Sequence, residues 1–583
     1  MPGPYNVKFD SNVPVMLRDG TITYADVCRP AANGKFPSLL MRTPYSKDGP
    51  STRTSTIDIL RAASRGYSVV VQDIRGRYTS DGEFYPFVNE ALDGYDSVEW
   101  VASQPWSSGK VGMFGSSYLG ATQWLAATAK PPALQGIATG ITASDYHEGW
   151  AWQGGAFELG FNLSWSIGSL TTANWQNLSK QLFLSDYQLS SLVSAQDDMS
   201  APFNHLPLKN YEGLQNGLAP YYYDWLEHPE YDDYWRSISI QESHPEIEVP
   251  AYNYGGWYDI FLSGTVTNFT RMHEVGATKE ARDGQRLVLG PWAHGGLDQY
   301  VTGEYNFGTK ASFLAVDVPG QILRFYDYWL HEEENGLLED KPVRIFVMGD
   351  NVWRDEDEWP LTRAVSTDYY LRSEGKANTV NGDGSLALER ANSGKVDVYL
   401  YNPADPVPTH GGALCCEPAS LIAGVRDQRV VELRPDVLVY TSEPMGIDME
   451  VTGPVTVTLY VSTSVLDTDF TAKLVDVEPN GYARNLCDGI IRGRYRTPRS
   501  LPSLLDPGEI YELAIDLGPT SNVFKEGHRI RLEVSSSNFP RFDRNMNTGD
   551  SIGTDTKFVS ALQTVYHSPQ HPSRITLPVV PRD

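Results

Sequence analysis

The chain has 583 residues, room for one large domain with attachments or for several smaller domains. Its 41% apolar content, with 14 Trp, 33 Tyr and 20 Phe, excludes a disordered chain. A formal net charge of −26 repels phosphate, so it argues against a nucleic-acid partner, an anionic membrane surface and a polyanionic substrate.

The opening reads as a hairpin, with Val13–Leu17 and Thr21–Val27 around the turn Arg18-Asp19-Gly20. Strands and helices then alternate. A short buried strand at 37–42 precedes a helix at 56–63, and a β-branched central strand at 67–73 precedes a helix at 90–102. A strand at 110–115, a helix at 121–129 and a strand at 134–139 complete this run. The rhythm is that of a mostly parallel sheet with helices on both faces. It breaks near Ser144, and residues 145–245, aromatic-rich and patchily helical, read as an inserted lid. It returns with a strand near 250–254, a helix near 261–273, a strand at 286–290 and an amphipathic segment at 318–331. Beyond about Asn351 the period falls to two, with strands at 396–401, 437–441, 455–461, 469–477, 509–515 and 528–534. The expected organisation is therefore an α/β core from 1–144 and 246–351, a lid at 145–245, and a β-sandwich or jelly roll at 352–583.

The chemistry concentrates at Lys110-Val-Gly-Met-Phe-Gly115-Ser116-Ser117-Tyr118-Leu119-Gly120, which reads as strand, sharp turn, helix. Such a turn holds a nucleophile in a strained conformation with its hydroxyl exposed. Gly115 lies two places before Ser117, which favours Ser117 over Ser116, and the N–H of Tyr118 at the helix start can face a developing oxyanion. The second glycine falls one place late, at Gly120. A literal G-x-S-x-G at Gly549–Gly553 lies in the β region with no strand before it and no helix after, so Ser551 is set aside. A serine nucleophile needs a base and a group to orient it. Two loops after later strands supply them in chain order, Gly255-Gly-Trp-Tyr-Asp259 and Gly290-Pro-Trp-Ala-His294. Of the 11 histidines, only His294 lies just past a convincing strand of the sheet, and Asp298 shares the loop of the base, a poor place from which to orient it.

The four cysteines make no disulfide scaffold and show no metal-ligand spacing, so neither metal nor cofactor is expected. No secretory signal and no apolar run of membrane-spanning length is visible, so a cytoplasmic protein without a membrane partner is the expectation. The expected partner is a small-molecule substrate of this serine, and a homodimer is left open.

Taken with Arg42-Thr-Pro-Tyr45, Gln72-Asp-Ile-Arg-Gly76, Asp467-Thr-Asp-Phe-Thr-Ala-Lys-Leu474 and Ser535–Asn545, these segments resemble the cocaine esterase-like acyl hydrolases, grouped with X-Pro dipeptidyl peptidases and β-lactam acylases. The likeness covers nearly the whole chain. It implies an α/β-hydrolase core with a helical lid and a C-terminal jelly roll, and it casts Ser117, Asp259 and His294 as a triad. It also makes Tyr45 a second oxyanion donor beside the Tyr118 N–H, and it puts Trp150, Trp165 and Phe261 on an acyl pocket. Fifteen residues separate Trp150 from Trp165, near four turns, so a single helix joining them would face both toward Ser117. Cys415 and Cys416 stand where the enzyme that gives the family its name has bulkier apolar residues, so the alcohol-side pocket should differ. Buried free thiols are expected there rather than a strained vicinal disulfide. The activity implied is hydrolysis of an ester of a hydrophobic carboxylic acid. Its rivals are amide cleavage by the same triad, with Asp145, Glu148 or Glu158 receiving an α-ammonium group, and a non-catalytic carbohydrate-binding jelly roll.

Overall fold

The computed structural model describes residues 4–582 apart from Ser55, Ser393, Pro418, Pro498 and Arg499, and among these the alternating part of the chain forms one ten-stranded sheet. Its strands are β1 (Val7–Met16), β2 (Ile22–Pro30), β3 (Phe36–Thr43), β4 (Ser68–Asp73), β5 (Ser107–Ser116), β6 (Leu134–Gly140), β7 (Ala251–Tyr258), β8 (Arg286–Ala293), β9 (Val343–Val347) and β10 (Val352–Glu356). They lie in the order β1-β2-β4-β3-β5-β6-β7-β8-β9-β10, with β4 through β9 parallel and antiparallel strands at both edges. Strand alternation sorts the side chains. Leu40, Val70, Met113 and Ile137 meet the helices Glu90–Ser103 and Tyr118–Thr128 on one face. Leu39, Met41, Val69, Val71 and Phe114 meet the helices Ile59–Ser64 and Val318–Trp329 on the other. Burial on both faces is why β4 reads Ser-Val-Val-Val-Gln-Asp without alternation. The hairpin β9–β10 carries this sheet to Glu356, a little past the boundary expected at 351.

The lid holds the helices Leu159–Trp165, Asp186–Asp197 and Pro220–Glu227, and a π-helical turn at Ser166–Thr171. No single helix joins Trp150 to Trp165, contrary to the simplest reading of their spacing. Trp150 precedes a small hairpin of Trp152–Gln153 with Ala156–Phe157, and Trp165 ends the helix that follows. Gly154 and Gly155, both with positive φ, make that turn.

The C-terminal part is a jelly-roll β-sandwich around a core of Val451, Val457, Phe470, Leu513, Leu532 and Ile575. Beyond the strands expected, it contains Val365–Arg372, Ala483–Arg492, Ala561–Tyr566 and Arg574–Val580. It grips both other parts. The Gly160 N–H donates to the Arg541 carbonyl at 3.1 Å, the Arg492 N–H to the Gly154 carbonyl at 2.8 Å, and the Tyr258 hydroxyl to the Asn485 carbonyl at 3.0 Å.

Candidate active site

Ser117 stands between β5 and the helix Tyr118–Thr128 with φ 62° and ψ −127°, a conformation that costs energy in a residue with a side chain. Its N–H is anchored on the Gly140 carbonyl at 2.9 Å, and its hydroxyl makes no capping bond to the helix it precedes, which leaves the oxygen for other work. The tight turn explains the glycines. A Cβ on Gly115 would lie 2.6 Å from that of Leu119, and one on Gly120 would lie 2.9 Å from the Thr142 methyl. The second small residue is needed where the helix crosses the loop after β6, hence its late position. Ser116 turns the other way, toward the Tyr254 phenol. Ser551 is exposed in a segment without strand or helix, its carbonyl accepting from Thr554.

The loops after β7 and β8 bring the other two groups to this point. His294 Nε2 lies 2.9 Å from Ser117 Oγ, and His294 Nδ1 lies 2.7 Å from Asp259 Oδ1. The Asp259 side chain is fully buried, and the imidazole is 10% exposed. Asp298 is exposed and takes no part. A hydrogen-bonded relay of serine, imidazole and carboxylate therefore runs across the C-terminal ends of the parallel strands β5, β7 and β8, with β6 lying between the first two.

Tyr45 follows β3. Its hydroxyl accepts from the Trp165 indole N–H at 3.0 Å. Burial pushes the phenol up to about 12, against the pull of hydrogen bonds with Trp165 and Ser117 and of the nearby Arg77 charge, so it stays protonated and able to donate. Tyr118 is the first residue of its helix, and its N–H points where the helix dipole favours negative charge. Its own hydroxyl is engaged with Glu90 and the Phe87 N–H.

The three aromatic residues of the expected pocket meet in one arc. Phe261 packs edge-on against His294 with centroids 5.0 Å apart and stacks on Trp150 at 4.2 Å. Trp150 meets Trp165 edge-on at 5.4 Å, and Trp165 bonds Tyr45. The hairpin at 152–157, rather than a shared helix, folds the two indoles together.

The cysteine expectation needs correcting. Cys415 and Cys416 are joined as a vicinal disulfide, with φ 75° at Cys416 bringing the adjacent side chains to one side of the chain. Cys415 packs in the lid's apolar cluster, Cys416 is exposed, and Cys28 and Cys487 remain thiols. Ala413 of the same loop lines a cavity of about 300 Å³ between core, lid and sandwich, together with Asp145, Glu148, Gln153 and Asp259. Glu158 does not line this cavity but stands behind it, 3.5 Å from the buried Arg541 guanidinium, which lines the cavity together with its other partner Asp488.

Two supports of this site left no readable sign in the sequence. One is the Trp165 indole as a donor to Tyr45, and the other is Arg77, a single place beyond the Gln72–Gly76 motif, which bonds the Pro44 carbonyl.

Residues 19–296 match the family model of the X-Pro dipeptidyl-peptidase (S15 family), and residues 335–576 match that of the X-Pro dipeptidyl-peptidase C-terminal non-catalytic domain. The chain is 40% identical over 587 residues to cocaine esterase of Rhodococcus sp. (strain MB1 Bresler), covering 100% of both. It is similar to the solved structure of an aminopeptidase from the marine sediment archaeon Thaumarchaeota archaeon, at 25% identity and a TM-score of 0.80, covering 99% of this chain and 97% of that one. It is similar also to an α-amino acid ester hydrolase, at 26% identity and a TM-score of 0.78, with the same coverage.

Proposed function

The chain belongs to the cocaine esterase-like serine hydrolases of the S15 family, and from that premise we propose that it cleaves esters of hydrophobic or aromatic carboxylic acids with Ser117, His294 and Asp259 as its triad. The observation that carries this reading is the unbroken relay from Ser117 Oγ through both imidazole nitrogens to Asp259.

His294 Nε2 takes the hydroxyl proton as Ser117 Oγ attacks the ester carbonyl, and Asp259 holds the imidazolium that forms. The carbonyl oxygen becomes an oxyanion between the Tyr118 N–H and the Tyr45 hydroxyl. Collapse of the intermediate breaks the ester bond, and His294 returns the proton to the departing alkoxide. Water, losing a proton to His294, then attacks the acyl-enzyme, and the second collapse releases the acid and restores Ser117. The acyl group lies along Phe261, Trp150 and Trp165, whose flat faces suit a benzoyl-sized or similar apolar acid.

The test is to label the purified protein with a fluorophosphonate and to compare kinetics on an aryl ester, the matching aryl amide and an X-Pro anilide. Label on the Ser117 peptide together with a preference for the ester supports the reading. Label on another serine removes the triad. One observation favours the amide alternative, because Asp145 and Glu148 line the cavity beside Asp259, where an α-ammonium group could be received. Turnover of the X-Pro anilide above the ester would select it.

A further inference from the structure

Arg77 lies in a turn between two residues of positive φ, Gly76 and Tyr78, and its guanidinium is completely buried. Its Nε donates to the Pro44 carbonyl at 2.7 Å. Its two terminal nitrogens donate to the lid carbonyls of Ser169, at 2.8 Å, and Leu170. The guanidinium carbon lies 5.0 Å from the centroid of the Phe84 ring and 5.4 Å from that of Tyr78. No carboxylate bonds to it among the described residues, and its electrostatic neighbours are the phenols of Tyr78, Tyr221, Tyr45 and Tyr118.

This arrangement is costly. A guanidinium stripped of water loses its hydration, and folds usually pair it with a carboxylate. Three carbonyl dipoles offset part of that loss but leave the charge unneutralised. The position is specific as well. The Pro44 carbonyl belongs to the peptide unit leading into Tyr45, and Ser169 and Leu170 follow Trp165, the residue that bonds the Tyr45 hydroxyl. Asn174 of the lid reinforces the junction, donating to the Gly76 carbonyl and accepting from the Tyr78 N–H.

We propose that Arg77 is a positioning residue of the oxyanion hole. It locks the Tyr45 loop to the lid, and its fixed charge stabilises the anion that forms between Tyr45 and the Tyr118 N–H. This rests on the triad and oxyanion reading above. Among the described residues no carboxylate is bonded to the guanidinium, whereas a negative charge arises in the oxyanion as the ester carbonyl is attacked, which is the condition for lowering a barrier rather than tightening ground-state binding. Burial supports this role, because it weakens dielectric screening around the charge.

Three variants test it. Arg77→Met keeps the length and removes the charge, so kcat should fall roughly tenfold or more with KM within about twofold of the parent. Arg77→Lys keeps a charge but cannot fork to three carbonyls. It should retain most of kcat at neutral pH and acquire an alkaline fall that the parent lacks, because a buried lysine loses its proton in a range where arginine does not. A purely structural role would lower kcat equally in both variants and add no alkaline limb, and either result overturns the inference. The lysine profile decides the matter even if the methionine variant does not fold. Tyr45→Phe separates the two levels of argument. Unchanged kcat there removes the oxyanion hole and this inference with it, whereas impaired kcat beside a parent-like lysine profile removes Arg77 alone.

Discussion

Among the described residues two networks join serine, histidine and aspartate, one at the top of the α/β sheet and one inside the β-sandwich. In the first, His294 meets Ser117 with one nitrogen and Asp259 with the other. In the second, His567 Nε2 contacts Ser373 Oγ and Asp397 Oδ2, both at 3.1 Å, while the buried Nδ1 has no hydrogen-bond partner among the described residues. Asp397 there is saturated, accepting from Ser373, the Tyr440 hydroxyl and the Ala377 N–H. Burial alone would raise that carboxylate, but hydrogen bonds from His567, Ala377, Ser373 and Tyr440 hold it below its usual range. The same three residue types thus give a proton relay in one place and a closed knot in the other. Connectivity, backbone strain at the serine and access decide between them, not the inventory of side chains.

That contrast can be broken most sharply at its two serines. Ser117→Ala should cost about 10⁴–10⁶ in kcat and leave the fold intact, as loss of a triad member does. Ester hydrolysis by a folded Ser117→Ala protein at the parent rate would erase the distinction. Tyr45→Phe comes next, with about 2.7–4 kcal/mol of transition-state stabilisation lost in kcat and little change in KM, as for one oxyanion donor. An unchanged kcat would reduce Tyr45 to a packing residue. Ser373→Ala should leave kcat alone and lower unfolding stability by about 1–3 kcal/mol, because a buried carboxylate and imidazole lose a partner. Chemical denaturation read beside activity checks both halves. Trp150→Ala sharpens the first network from its acyl side. Selectivity for benzoyl over acetyl esters should weaken by about 1–3 kcal/mol in kcat/KM, with acetyl turnover nearly unchanged. Equal losses on both esters would take Trp150 out of the pocket. Ser551→Ala, in the literal but misplaced motif, should change neither activity nor stability in the same assays.

The relay was legible because each of its members ends a strand or starts a helix in a context that periodicity reveals. The elbow could be found although its second glycine is displaced, since strand and helix flank it. The residues of the aromatic arc came from the family resemblance and not from composition or spacing, and their construction was not readable, because a two-residue hairpin leaves no periodic trace between Trp150 and Trp165. The missed sandwich strands have a different cause. In Ala483–Arg492 the inward positions include Arg484 and Arg492, neutralised by Asp476 and Asp469 on the neighbouring strand. Buried ion pairs stand where an apolar alternation would otherwise mark the strand. Arg77 was illegible for a related reason, since a lone arginine in a turn says nothing about the carbonyls that will surround it.

The hydrogen bond from Tyr258 to the Asn485 carbonyl joins the residue next to Asp259 to the sandwich, and Arg541 reaches from the sandwich to Glu158 at the start of the lid helix that ends in Trp165. The C-terminal part is therefore a wall of the catalytic chamber and not a detachable module. For protein engineering, exchanging that part between relatives alters the backing of the acid and the seating of the acyl wall together, so a chimera would carry a new active site without a single substitution in the hydrolase core.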